Sequence, residues 1–236
     1  MYIKNMNINE IYNINCFDGF KILEDNSVDH VLTSPPYNRK HKGIKKDQLE
    51  GFKSDKYKFN TDNIDDYFEF LIKVIDESIR VSKGYVFFNI MKNYYNKKDV
   101  FKIIGYYSEK IIDIHIHIKT NPLPASGKSI TNSYEYFIIF GDKPLKSNTT
   151  YTKNIISTAV NSKMTKEHKA MMKQEVCDWF IDKFTIENET ILDPFMGAGT
   201  TAISCINLKR NYIGFEITPE YVELSKKRIH ENTKTI

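Results

Sequence analysis

Asp193-Pro194-Phe195-Met196-Gly197-Ala198-Gly199-Thr200-Thr201 sets two glycines between a short apolar run at 190–192 and a helical stretch reaching Leu208. Glycines there let backbone approach a ligand closely, and a helix starting at Thr200 offers amides that have no partner inside the helix. Glu216 closes the next apolar run, 23 residues beyond Asp193. That is near the roughly 20-residue interval at which an acidic side chain meets a ribose diol in dinucleotide folds. No lysine follows the glycines, as a triphosphate loop requires, and the third glycine of the pyrophosphate fingerprint is missing. Asp193 would repel phosphate but could accept from an ammonium group. An adenosyl ligand with an ammonium and no phosphate, such as S-adenosylmethionine, meets these conditions; a glycine turn that merely reverses the chain is the alternative.

Near the other end of the chain, the apolar run 28–32 leads into Thr33-Ser34-Pro35-Pro36-Tyr37-Asn38. Two prolines end a strand and stiffen the loop, at the place where open α/β sheets bind ligands. Ser34 offers a hydroxyl, Pro35 a carbonyl acceptor and Tyr37 an aromatic face for a planar base. The loop suits gripping an amino group on a ring, and taken alone it is equally compatible with a structural turn.

These loops need a scaffold. Besides 28–32, the runs 85–89, 111–118, 134–140, 190–192 and 211–215 read as strands, whereas 65–81, 174–184 and 219–229 carry helical stripes. The alternation predicts an α/β fold: a Rossmann-like, doubly wound, mainly parallel sheet in one domain over 1–236. Only 20 residues follow Glu216, too few to complete such a sheet, so the N-terminal part must supply its other half and bring the Tyr37 loop near Gly197. With 41% hydrophobic residues the 236-residue chain is not a disordered one. No apolar run approaches the roughly 20 residues of a membrane helix, and the first residues lack a signal-peptide core, which predicts a cytoplasmic protein with no membrane partner. The net charge of +4 permits a polyanionic partner. Two polar, poorly periodic stretches, 39–61 with its eight lysines and arginines and 144–165, are candidates for partner contact, with a solvated loop as the plainer reading of the first.

Together the two motifs resemble the motif pair of DNA amino-methyltransferases, in the permuted order of their beta group. The resemblance covers nearly the whole chain. YNINCFDGFKILEDNSVDHVLTSPPYN at 12–38 is similar to the N-terminal signature of that family, HKAMMKQEVCDWFIDKF at 168–184 to the segment before its glycine motif, and KTNPLPASGKSITNSYEYFIIFGDK at 119–143 to a further segment. It implies a circularly permuted methyltransferase fold, S-adenosylmethionine as cofactor with no metal, and DNA as partner. The stretch 39–61 becomes a basic DNA-contact loop and 144–165 a short target-recognition segment. Residue by residue, it implies catalysis by Ser34, Pro35, Pro36 and Tyr37, and cofactor binding by Asn15, Asp18, His168, Asp193, Phe195, Gly197, Gly199, Thr200, Thr201 and Glu216. The chain departs from the pattern at Asn15, where relatives often carry Asp and where Asp18 could substitute, at Ile118 for a usual Trp and at Lys173 for an expected Pro.

The implied reaction is methylation of an exocyclic amine whose hydrogens are accepted at Ser34 and the Pro35 carbonyl, on a base flipped out of the duplex and stacked on Tyr37. Ser in the first loop position leans to cytosine N4 and Asp there to adenine N6; the two amines present similar donors. Carbon-5 methylation needs a cysteine thiolate, generally after proline in that family, whereas Cys16, Cys177 and Cys205 follow Asn15, Val176 and Ser204 and read as buried thiols. His115 and His117 read as one sheet face rather than a metal pair, and Trp179 and Phe180 as helix core. Methylation of RNA or a small molecule, and a non-catalytic nucleic-acid-binding module, are the competing readings. A cognate restriction endonuclease and a homodimer stay open as partners.

Overall fold

The computed structural model describes residues 2–3, 6–38, 64–122, 124, 130–159 and 171–234. An eight-stranded sheet runs in the order β3 (Glu10–Asn13), β10 (Asn211–Glu216), β9 (Thr190–Asp193), β4 (His30–Thr33), β5 (Val86–Ile90), β7 (Tyr134–Phe140), β6 (Ile111–Lys119), β8 (Ile155–Thr158). The first five are parallel. β7 lies antiparallel between β5 and β6, and β8 adds parallel to β6. A separate antiparallel pair joins β1 (Tyr2–Ile3) to β2 (Met6–Asn7).

Every residue of β4, β5 and β9 is buried, which is why these strands are unbroken apolar runs rather than alternating ones. On one face α1 (Cys16–Ile22), α2 (Tyr67–Val81) and α3 (Lys97–Tyr106) bury Phe20, Leu71, Val74 and Ile103 against Val31, Phe88, Ile138 and Phe215. On the other α4 (Gln174–Phe184), α5 (Thr200–Asn207) and α6 (Pro219–Thr233) bury Val176, Phe180, Cys205 and Val222 against Leu32, Phe87, Phe137 and Ile191. Each large apolar side chain so covered contributes about 1.5 to 3 kcal/mol.

β9 leads through α5 to β10 on one side, while β4 leads through α2 to β5 on the other. Adjacent parallel strands whose connections diverge leave a crevice beyond their carboxyl ends. Both motif loops leave from that edge, so the Ser34 loop and the glycine turn come together there, as the sequence reading expects.

The strands and helices read from sequence all occur, most within one or two residues. α1, α3, β1, β2, β3 and β8 are additional. α3 buries only Val100 and Ile103, too narrow a stripe to stand out. β8 is four residues with alternating exposure at a sheet edge, so part of the stretch 144–165 is regular strand. The stretch 39–61, residues 160–165 and His168 lie outside the described residues. No helix among the described residues is long and apolar enough to cross a membrane.

Candidate active site

Thr33 ends β4 and Asp193 ends β9, and the Thr33 hydroxyl donates to Asp193 Oδ1 at 2.9 Å. The same oxygen accepts from the Phe195 amide at 3.0 Å, and Oδ2 accepts from the Thr201 hydroxyl at 2.7 Å. One buried carboxylate thus ties the serine loop, the glycine turn and the first turn of α5 together. Burial lifts the Asp193 carboxyl to about 6, against the lowering effect of Thr201, the Phe195 amide and Thr33.

The turn that follows is left-handed at both glycines, with φ 54° at Gly197 and 80° at Gly199. Gly199 caps α5, and Thr200 and Thr201 are buried in its first turn. Glu216, at the end of β10, reaches back: its Oε2 accepts from the Gly197 amide at 2.9 Å and its Oε1 from the Thr218 amide at 2.8 Å. Burial raises its carboxyl above the ordinary value, outweighing those amides. Phe195 is half-buried beside Phe70, ring centroids 6.0 Å apart. Asn15, next to the Glu216 strand end, caps α1 by accepting from the Phe17 amide at 2.9 Å. Asp18 is exposed and pairs with Lys21 at 2.8 Å.

The serine loop closes on itself through a residue that the sequence reading did not single out. The Ser34 and Tyr37 hydroxyls lie 2.8 Å apart, and Asn89 Oδ1, at the end of β5, accepts from Ser34 at 3.1 Å and from Tyr37 at 2.5 Å. Backbone carbonyls of the loop are held as well. The Asn93 and Asn96 carboxamides both donate to the Tyr37 carbonyl at 2.8 Å, and Tyr67 donates to the Pro36 carbonyl at 2.6 Å. Pro35 is buried. The signal was an asparagine closing an apolar strand, VFFN, with two more just after it. Asparagine supplies donor and acceptor at once, and three of them at one loop have little use in an apolar core.

The three thiols are buried. Desolvation pushes Cys16 up to about 12 and raises Cys177 and Cys205 as well, so none offers a thiolate near neutral pH. His115 and His117 share one sheet face: His115 packs among Trp179, Phe180 and Phe184, and His117 Nε2 lies 2.8 Å from the Thr158 hydroxyl. Trp179 is partly buried and Phe180 fully buried against that face. Among the described residues no group of three or more potential metal ligands gathers.

The family model for DNA methylases of the N6/N4 class matches residues 28–227. The chain belongs to the N6/N4 DNA methylase family. Its class is therefore that of S-adenosylmethionine-dependent DNA methyltransferases acting on the amino group of adenine or cytosine. The type II methyltransferase M2.MboI of Moraxella bovis is 29% identical to it, the match covering 99% of this chain and 90% of the relative. M.HpaI of Haemophilus parainfluenzae, also a type II methyltransferase, is 24% identical over 91% of this chain and 72% of its own. Among solved structures the cytosine-N4-specific PvuII DNA methyltransferase superposes with a TM-score of 0.73 at 15% identity, covering 95% of this chain and 89% of its own. The M1.HpyAVI complex with its SAM ligand gives 0.64 at 21% identity, covering 93% and 98%. This N6/N4 methylase thus shares the fold of these methyltransferases, with both motif loops at one edge of the sheet.

Proposed function

We propose that the chain methylates the exocyclic amino nitrogen of a base flipped out of DNA, cytosine N4 ahead of adenine N6. The triangle of Ser34, Tyr37 and Asn89 carries this reading, because it gathers two hydroxyls and the half-buried Tyr37 ring just after the strand end that Thr33 ties to Asp193. The donor set fits S-adenosylmethionine: the Glu216 carboxylate suits a ribose diol, the left-handed turn at Gly197 admits a ligand against the backbone, and an anionic Asp193 suits an ammonium. Phe195, Thr200, Thr201, Asn15 and Asp18 complete the proposed pocket. When bound, the cofactor supplies an electrophilic methyl group on its sulfonium.

Ser34 Oγ and the Pro35 carbonyl accept the amine's two hydrogens, which favours a pyramidal nitrogen and frees the lone pair that the ring otherwise delocalises. Tyr37 replaces base stacking lost on flipping, and the buried strand ends fix the distance over which the methyl moves in line. The two amines present similar donors to Ser34, and it is the family resemblance, in which Ser in the first loop position goes more with cytosine-N4 enzymes, that supports cytosine as the base. Mass spectrometry of nucleosides from DNA methylated by the pure protein tests this. N4-methylcytosine is expected, N6-methyladenine would move the reading to the other base, and methylation of RNA alone would overturn it.

DNA contact has support beside the crevice. On the turn after β5, Tyr94 is 80% exposed, with Tyr95 5.3 Å from it between ring centroids, Lys97 Nζ 5.6 Å from the Tyr94 ring, and Lys92 and Lys98 close by in sequence. Cations there would neutralise phosphates and rings would stack on unpaired bases. The stretches 39–61 and 144–165 share the proposed DNA contact. The same reading extends to the cytoplasm as the place of action, a restriction endonuclease sharing the site, tested by protection of methylated DNA, and a second copy of the chain, tested by sedimentation.

A further inference from the structure

Behind the serine loop lies a charged group that core packing does not explain. Glu135 on β7 faces Lys119 and His117 on β6: Lys119 Nζ contacts its Oε1, and His117 Nδ1 lies 3.7 Å from its Oε2. The His117 ring is held from the other side by Thr158 of the edge strand β8. Glu135 Oε2 also accepts from Asn89 Nδ2 at 3.4 Å, and the Tyr136 carbonyl accepts from the same nitrogen at 3.2 Å. A buried ion group like this seldom adds net stability over apolar packing, so what it orients is the useful question.

Both groups on the Glu135 side of Asn89 are acceptors only. The carboxamide must turn its NH₂ toward them and its oxygen toward Ser34 and Tyr37. In the reverse orientation the amide oxygen would meet a carboxylate and a carbonyl, and the NH₂ would donate to the hydroxyls. Ser34 has one hydrogen. With Asn89 as observed, that hydrogen is taken up inside the triangle and the lone pairs of Oγ are left for an incoming amine. With Asn89 reversed, Oγ would accept from Asn89 and turn its own hydrogen toward the amine, where two donors would face each other. We propose that Glu135 is a positioning residue for methyl transfer: by fixing which way round the Asn89 carboxamide sits, it makes Ser34 an acceptor. Burial alone would raise the Glu135 carboxyl, but His117 and Lys119 hold it down to about 2, so it stays an acceptor at any working pH.

This inference rests on the proposed amine methylation, so the wild-type chain is first shown to yield a methylated amino base; failure of the variants then falls on Glu135 alone. The experiment compares Glu135→Gln, Asn89→Asp and the double variant by kcat, KM and thermal melting. In Glu135→Gln, Lys119 keeps the side-chain oxygen and the new NH₂ faces that of Asn89, which reverses. In Asn89→Asp two carboxylates meet. Each single variant should lose kcat by roughly tenfold to 10²-fold with cofactor KM little changed. In the double variant the carboxamide introduced on β7 donates to the carboxylate introduced on β5. The other oxygen of that carboxylate again accepts from Ser34 and Tyr37, and kcat should rise above that of either single variant, short of wild type because a carboxylate oxygen then faces the Tyr136 carbonyl. Losses that multiply in the double variant, or single variants with wild-type kcat, would overturn the proposal. Should one single variant fail to fold, the double variant is set against the other: a kcat above that single variant supports the proposal, and an equal or lower kcat, or an unfolded double variant, overturns it.

Discussion

The Gly197 amide donates to the Glu216 carboxylate at 2.9 Å, joining the glycine turn to the end of the neighbouring strand. The other carboxylate oxygen takes the Thr218 amide, so Glu216 holds two turns while each oxygen keeps a lone pair for a ribose hydroxyl. Glutamine would bring an NH₂ against one of these backbone donors. Glu216→Gln should weaken S-adenosylmethionine binding by about tenfold to 10²-fold, since hydrogen bonds to charged groups are worth about 1.5 to 3 kcal/mol. Isothermal calorimetry measures it, and an unchanged Kd would remove Glu216 from the pocket. Because burial raises this carboxyl, protonation on acidification removes the charged acceptor, and affinity should fall as the pH is lowered.

Tyr37 has two separable parts. Its ring is the stacking surface, and its hydroxyl donates to Asn89 at 2.5 Å. Stacking on an aromatic ring is worth about 1 to 3 kcal/mol per base, whereas in Tyr37→Phe the Ser34 hydroxyl can still donate to Asn89. Tyr37→Ala should therefore lose nearly all methylation and Tyr37→Phe keep much of it. Equal losses in steady-state assays would show that the hydroxyl, not the ring, is the working part.

What the sequence disclosed follows from what each signal depends on. β4 and β9 were legible because all their residues are buried, and the loops after them because Gly and Pro fix backbone shape locally. Asn89, Asn93 and Asn96 were not, because an asparagine's role is set by partners that lie, for Tyr37, more than 50 residues away. β8 was hidden for a similar reason: four residues become strand only through pairing with β6. Asp193 stood out from its neighbours, yet its bonds to Thr33 and Thr201 show it holding the crevice walls together, a task separate from the ligand contact proposed for it.

The Asp193 carboxyl gives a pH signature. Its folded value of about 6 lies above the ordinary 3.8, so between those values the folded chain holds a proton that the unfolded chain releases. Stability from this group is complete below about pH 4 and falls as pH rises through about 6, by on the order of 3 kcal/mol, with no further change above. Asp193→Asn cannot titrate. Urea unfolding at a series of pH values should show the wild type losing ground to the variant across that window and a constant difference beyond it; a difference of opposite sign would mean that Asp193 is stabilised as the anion.

Gly199 sits where the fold leaves no room. Its φ of 80° lies in the left-handed region, and a Cβ there would fall 2.9 Å from the Ser225 Cβ and 3.3 Å from its Cα. An ordinary residue costs roughly 1 to 2 kcal/mol in that backbone region, and forcing a methyl into a packed contact costs about 1 to 3 more. Ser225 is fully buried on α6, so relief requires the helix itself to shift. Gly199→Ala should thus destabilise the fold by about 2 to 5 kcal/mol in chemical unfolding. Gly197→Ala at φ 54° meets the left-handed strain in a turn that the ligand is proposed to approach. It should cost less stability and more cofactor affinity, and the opposite ranking would mean that Gly199, not Gly197, lines the ligand.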